Sequence, residues 1–461
     1  MERIPVIAVI DVGKTNKKLF LFDQNYKIVY ERSARFNETV DEDGDPCENL
    51  ESLRLSVFDS LHQVLQNKQF DIKAINFSTY GASFVYIDQE GRSLNPLYNY
   101  LKPYPEHLKQ QFYDAYGGEE LFSKVTASPV LGSLNSGMQL YRLKYEKPDF
   151  YKQIKYALHL PQYLSYLISG NVYTDITSIG CHTNLWNFET NTYHEWVYKE
   201  GLIEKFPPIV PADHSFPAMF PGSNYAVGIG LHDSSAALIP YQISFHEPFV
   251  LISTGTWCIS LNPFNNDPLT KEELQNDCLC YMHYLGKPVK ASRIFAGQEH
   301  ENQVKRIGDH FNQNPIRYRN IEFDPLVVAK LKTNTPDSRG GKMLMKDSGF
   351  ATRDLSAFSS DTQAYHQLIM DIVAQQYLST SMVLQGALTK RLFVDGGFSN
   401  NSIYMNLLAA VFQGIEVFAA SMAQATAVGT ALAVHKTWNK KQLPNDLIEL
   451  KYYSVNHEVI L

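Results

Sequence analysis

No stretch of the sequence reaches the ~20 consecutive apolar residues that a membrane-spanning helix needs. The apolar start from Ile4 to Ile10 breaks at Asp11 and has neither a basic lead nor a small-residue cleavage site, so it does not read as a secretory signal. Cysteine is scarce: Cys47, Cys181, Cys258, Cys278 and Cys280 form no C-x-x-C pair, which excludes a disulfide framework and a zinc knuckle. They read as buried thiols in a reducing cytoplasm. Positive charge is also short, with 41 Lys and Arg against 48 Asp and Glu and a formal charge of −7, so nothing draws the chain to a phosphate backbone. The expectation is a soluble cytoplasmic protein with neither a membrane nor a nucleic acid as partner.

What is present is ordinary globular material: 44% hydrophobic, 13% aromatic and 19% charged residues over 461 positions, enough for two or three domains at ~150 residues each. Val6-Ile7-Ala8-Val9-Ile10 is a β-branched run of the kind buried on both faces of a sheet. It ends in Asp11-Val12-Gly13-Lys14-Thr15 and resumes as Lys18 to Asp23, which predicts a β-hairpin. Pro248 to Ile252, Ser253-Thr254-Gly255-Thr256 and Trp257 to Leu261 repeat the device. The two turn glycines lie a little over half the chain apart, which predicts two related domains in tandem, residues 1–243 and 244–461, with the boundary near Gln242 to Glu247.

Three further strand ends carry polar or glycine-rich turns. Ile72 to Phe77 leads into Ser78-Thr79-Tyr80-Gly81. Arg391 to Val394 leads into Asp395-Gly396-Gly397, with Asn400 or Asn401 as the cap of a helix whose apolar face holds Ile403, Leu407, Leu408, Val411 and Phe412 and which ends at Gly414. Gly228 to Gly230 leads into Leu231-His232-Asp233. The five prolines from Pro207 to Pro221 predict a rigid surface connection without strand or helix. Alternating strands and helices make the class α/β.

Asp11 followed by Gly13 and Thr15 supplies a carboxylate, open backbone amides and a hydroxyl, the parts that hold a phosphate and its metal. Side-chain alternation separates Lys17 from Lys18, and Lys18 is the one expected at the site. The same residues also suit a solvated hairpin tip. Ser253 to Thr256 reads as a second phosphate cradle or as a plain turn, and Asp395-Gly396-Gly397 as a ring or phosphate site or as a tight turn with a cap. Asp233 is a general-base candidate or the cap of a helix from Ser234 to Leu238; His232 holds a substrate hydroxyl or completes a core hydrogen bond. His300 lacks a second histidine at ligand spacing, and Cys181-His182 and Cys278-Leu279-Cys280 read as structural. The aromatic run Tyr98 to Tyr104 either lines a sugar site by stacking or forms packing surface.

In this order the motifs resemble the FGGY family of carbohydrate kinases, members of the actin-like ATPase superfamily with two ribonuclease-H-like domains around a central cleft. The resemblance covers nearly the whole chain and includes Leu160-Pro161-Gln162-Tyr163-Leu164. It implies ATP and Mg²⁺ as cofactors and a sugar as acceptor. Gly13, Lys14, Thr15, Asn16, Lys18, Thr254, Gly255 and Thr256 would hold phosphate, Asp11 the metal, and Gly396, Gly397 and Asn400 the adenosine. Thr79, Tyr80, Gly81 and His232 would face the sugar, and Asp233 would take its proton.

The sequence departs from the family pattern in three places. Lys14 replaces a small or hydroxyl residue, Tyr80 stands where Trp is frequent, and Ala82-Ser83 replaces an acidic contact. The His232-Asp233 pair is similar to rhamnulose and fuculose kinases, which implies a 6-deoxy-ketohexose phosphorylated at its primary hydroxyl. A pentulose or polyol kinase is the alternative on the same scaffold. A silent sugar-binding regulator is the rival from another class, and the retention of Asp11, Thr15 and Asp233 together speaks against it. A homodimer is one assembly state left open.

Overall fold

The computed structural model describes the chain except residues 1–2, 15, 36–37, 221, 335–347, 385, 387, 423 and 455–461. The opening run forms β1 (Ile4–Val12), with Ile7 and Val9 in one core and Ala8, Ile10 and Val12 in another, as a strand buried on both faces requires. It pairs antiparallel with β2 (Asn16–Asp23), which pairs with β3 (Ile28–Arg35). A small ladder follows, β4 (Glu38–Val40) with β5 (Pro46–Glu48), and then α1 (Leu50–Gln66), capped by Asn49. β6 (Phe70–Thr79) lies parallel to β1 on its other side. The sheet ends with β7 (Ser215–Pro217), β8 (Ala226–Gly228) and the short β9 (Leu231–His232), in the order β7-β8-β6-β1-β2-β3 with β9 also on β6.

The five-proline segment therefore holds more structure than expected. Ser215–Pro217 pairs with β8 at the sheet edge, where a proline costs no ladder bond, and Ile209–Val210 pairs with Thr174–Asp175. Pro221 lies outside the described residues.

After α2 (Asp233–Ser244) the plan repeats. β10 (Phe249–Thr254) pairs antiparallel with β11 (Cys258–Asn262), and β12 (Cys278–Met282) and β13 (Pro288–Ile294) extend that side. On the other side of β10, β14 (Arg391–Gly396) runs parallel, followed by β15 (Glu416–Ser421) and β16 (Glu449–Tyr453). Each lobe is thus a mixed sheet built on a hairpin flanked by a parallel strand, in an α/β fold and not a barrel.

The helix after β14 is α3 (Ser402–Val411). Asn401, not Asn400, caps it by accepting from Tyr404 N–H, and Val411 is exposed while Ile403, Leu407 and Leu408 are buried. All five cysteines are buried free thiols. No helix among the described residues is long and apolar enough to cross a membrane.

Two helices join the lobes. α4 (Ala425–Ala433) buries Ala427, Val428 and Ala431 in the core that holds Ile7, Val9 and Phe20, while α2 buries Leu238 and Tyr241 among Phe249, Leu251 and Phe393 of the second sheet. Where they cross, a Cβ on Gly429 would stand 1.8 Å from the Ala236 carbonyl oxygen, so only glycine permits the approach. Buried Asn76 on β6 adds a hydrogen bond from Nδ2 to the Thr430 carbonyl at 2.9 Å.

Candidate active site

The β1–β2 register sets Asp11 opposite Lys18, so their side chains share one face; Lys17 lies opposite Val12 on the other and is buried. Ser78 Oγ on β6 donates to Asp11 Oδ1 at 2.9 Å. Burial raises the Asp11 carboxyl to about 7; the Ser78 hydrogen bond opposes the rise, the charge of Asp233 adds to it, and Lys18 opposes it. Lys18 Nζ lies 3.4 Å from Glu31 Oε1. Thr15 falls outside the described residues, and Asn16 opens β2.

Asp233 reaches the same region from the opposite edge of β6. The parallel register of β9 on β6 sets His232 beside Thr79, and Asp233 opens α2 at the positive end of the helix. Its Oδ1 accepts from Ser234 N–H at 2.6 Å and Ser234 Oγ at 3.2 Å, while Oδ2 makes no hydrogen bond among the described residues. The cap position belongs to His232, so helix capping does not explain the carboxylate.

His232 is buried, with Nε2 3.4 Å from Asp233 Oδ1 and the ring stacked on Tyr281 at 5.4 Å. Burial lowers its pKa and keeps the imidazole neutral, against the pull of Asp233. A Cβ on Gly81 would meet the His232 ring at 2.7 Å, which explains the glycine after Tyr80. Cys181 and His182 pack beside His232, with donor atoms within 4.8 Å of one another. Gly230, at φ +85, would bring a Cβ within 2.6 Å of the Pro161 carbonyl, and Gln162 Nε2 donates to the Gly230 carbonyl at 2.9 Å. The Leu160 to Leu164 motif thereby braces the turn that aims Asp233.

The remaining acceptor-side residues separate. Thr79 is fully buried and its hydroxyl donates to the Tyr80 carbonyl, so it shapes the strand end and offers no free hydroxyl. Tyr80 Oη donates to Glu48 Oε1 at 2.6 Å. Lys14 Nζ turns away from the hairpin axis to the same oxygen, at 2.8 Å. Glu48, on the short β5, and Tyr100, from the aromatic run Tyr98 to Tyr104, complete this wall; Glu48 stands in no recognisable motif and meets Lys14 only because β5 folds back beside the hairpin.

In the second lobe the β10–β11 tip, the β14 turn and the helix Ala296–Phe311 enclose a cavity of about 490 Å³. Thr254, Gly255, Thr256, Gly397 and Asn400 line it, joined by His300, Glu301, Arg319 and Tyr365, which no sequence motif marks. His300 belongs to this wall, with Nε2 3.1 Å from Tyr365 Oη. Thr254 spends its hydroxyl on structure, donating to the Asp395 carbonyl at 2.6 Å and accepting from Phe398 N–H at 3.0 Å. Gly255 N–H closes the turn onto the Trp257 carbonyl. Gly396 does not line the cavity; at φ +89, a Cβ there would lie 1.9 Å from the Thr254 carbonyl, so it locks the two turns together. Tyr241 of α2 donates to Asp395 Oδ2 at 3.1 Å, tying this floor to the helix that begins with Asp233.

The site is therefore a first lobe with two interacting carboxylates and a second lobe whose backbone turns frame a cavity of about 490 Å³. Comparison with known proteins gives the arrangement its family. Residues 6–239 match the N-terminal domain of the FGGY family of carbohydrate kinases, and residues 246–442 match the carbohydrate kinase FGGY C-terminal domain. A rhamnulokinase from Mannheimia succiniciproducens is 23% identical over 442 residues, covering 90% of this chain and 86% of that protein. The fold is similar to a carbohydrate kinase from Novosphingobium aromaticivorans, with a TM-score of 0.80, 20% identity, and coverage of 99% of this chain and 96% of that one. It is also similar to a xylulose kinase from Lactobacillus acidophilus, with a TM-score of 0.78, 18% identity, and coverage of 99% and 95%. The chain belongs to the FGGY family of carbohydrate kinases and is a phosphotransferase.

Proposed function

We propose that the protein transfers the γ-phosphate of ATP to the primary hydroxyl of a 6-deoxy-ketohexose such as L-rhamnulose or L-fuculose. The observation that carries the reading is Asp233: a carboxylate at a helix N-terminus with one oxygen open, next to buried neutral His232 and within the field of Asp11. Asp233 accepts the proton of the attacking hydroxyl, and His232 keeps that carboxylate oriented. The cavity framed by Thr256, Gly397 and Asn400 takes the nucleoside end, so that its terminal phosphate reaches the hairpin tips.

Asp11 and Asp233 repel each other, and Lys18 alone does not relieve them, a donor set that fits a hard divalent cation. Asp11, held by Ser78, would hold Mg²⁺, and the ion would supply charge neutralisation on the transferred group. Lys18 adds a second positive charge from the same face.

The acceptor assignment is supported by the His232-Asp233 pair and by likeness to rhamnulokinases. The test is ADP release over L-rhamnulose, L-fuculose, D-xylulose, glycerol and gluconate. The highest kcat/KM is expected for one of the first two; a preference for xylulose, glycerol or gluconate overturns the acceptor assignment. Absence of turnover with all five would favour the regulator.

A further inference from the structure

Lys14 and Tyr80 converge on a single carboxylate oxygen that no motif predicts. Glu48 ends β5 directly before the Asn49 cap of α1, so its backbone is fixed on both sides. Its side chain is 3% exposed, and Oε2 meets no donor among the described residues. A buried carboxylate is tolerated only when cations and donors satisfy it. Lys14 and the Tyr80 hydroxyl both satisfy Oε1 here, and Lys17 lies within the field of Glu48.

This fixes where Lys14 points. Although it stands on the hairpin tip, its ammonium is drawn sideways and lies 5.5 Å from the Tyr80 ring centre and 5.3 Å from that of Tyr100. Tyr100 in turn lies within the field of both Asp233 and Glu48, so the wall runs from Glu48 through the two rings toward Asp233. An ammonium has three donors, and Glu48 takes one of those of Lys14, which remains 26% exposed. Because Glu48 cancels its charge, Lys14 is suited to donate to neutral hydroxyls and poorly suited to grip an anion.

We propose that Lys14 is an acceptor-side, specificity-determining residue that hydrogen-bonds a sugar hydroxyl remote from the reacting one, and that Glu48 is the positioning residue that holds it and Tyr80 in place. This deepens the kinase reading and rests on it: the acceptor class is a neutral ketose, not a sugar acid. Lys14 is accordingly withdrawn from the phosphate ligands that the family resemblance implies.

The experiment compares the wild-type chain with Lys14→Met and Glu48→Gln, using the best neutral acceptor of the five-compound panel, gluconate, ATP, and calorimetric binding of a non-hydrolysable ATP analogue that keeps the γ-phosphate. Lys14→Met, at a partly exposed side chain, is expected to raise KM for the neutral acceptor about tenfold or more while affinity for the ATP analogue stays within about twofold. Glu48→Gln leaves the Lys14 charge uncancelled and is expected to lower the neutral-to-gluconate ratio of kcat/KM by about tenfold, a change of selectivity that a merely structural role would not produce. A tenfold loss of affinity for the ATP analogue in Lys14→Met with KM for the sugar unchanged overturns the proposal and returns Lys14 to the phosphate. If the wild type phosphorylates no acceptor, the kinase reading fails separately, and affinity for the ATP analogue in Lys14→Met still decides whether Lys14 serves the nucleotide. If Glu48→Gln does not fold, Lys14→Met alone decides.

Discussion

The β1–β2 tip of the first lobe gathers charge: Asp11, Lys18 and, turned aside to Glu48, Lys14. The β10–β11 tip of the second lobe gathers none; Thr254, Gly255 and Thr256 are neutral, and the Thr254 hydroxyl and Gly255 amide are already spent on the turn. The same hairpin-plus-parallel-strand frame thus serves two ends. One lobe concentrates charges that would cost energy without a bound ion, and the other builds a shape from backbone set against backbone. Substitutions in the first should alter chemistry, and substitutions in the second should alter fit.

The largest effect expected on the charged side comes from Asp233→Asn. Turnover should fall by about 10²–10⁴ with ATP binding nearly unchanged, and retained turnover would remove Asp233 from the chemistry. On the shape side, Gly297→Ala places a Cβ 1.8 Å from the Gly255 carbonyl. It should raise KM for ATP strongly and cost about 1–3 kcal/mol in unfolding, with acceptor KM little changed. An equal effect of Gly297→Ala on acceptor KM would blur the division between lobes.

The raised carboxyl of Asp11 gives a dependence on pH. If Asp11 holds the metal as proposed, it does so only when ionised, and apparent Mg²⁺ affinity should fall about tenfold per pH unit below about 7. A flat profile from pH 5 to 8 would separate Asp11 from the metal. The stability sign follows from the same shift. A carboxyl whose folded pKa exceeds its unfolded value favours the fold at low pH, and that advantage is lost as pH rises toward 7. In metal-free protein Mg²⁺ should therefore raise Tm more at pH 8 than at pH 6. The smallest effect expected is Thr256→Val, a few-fold rise in KM for ATP at an exposed hydroxyl on the cavity edge.

Much of this division can be read from the sequence because it is local. A β-branched run stopped by a glycine turn specifies a hairpin, and strict alternation puts Lys18, not Lys17, on the face of Asp11. Pairings between distant segments carry no such local signal. Glu48 sits on a three-residue strand, 34 positions from Lys14. His300 and Tyr365 come from helices Ala296–Phe311 and Asp361–Leu384, far apart in sequence, that pack together in the second-lobe core. Ser215–Pro217 was obscured because proline argues against strand everywhere except at an edge, and which strand is an edge is decided by the whole sheet. Thr79 and Thr254 show the converse: a hydroxyl in the right motif can already be consumed by its own backbone neighbours.

The contact of Gly429 with Ala236 has a mechanical corollary. Where two rods touch with no side chain between them, relative rotation moves nearby atoms least and remote ones through the widest arc. Asp233 stands three residues from that fulcrum on its own rod, about 4.5 Å along the axis. Any rotation of one helix on the other about that contact would therefore displace Asp233 by less than it displaces residues farther along either rod.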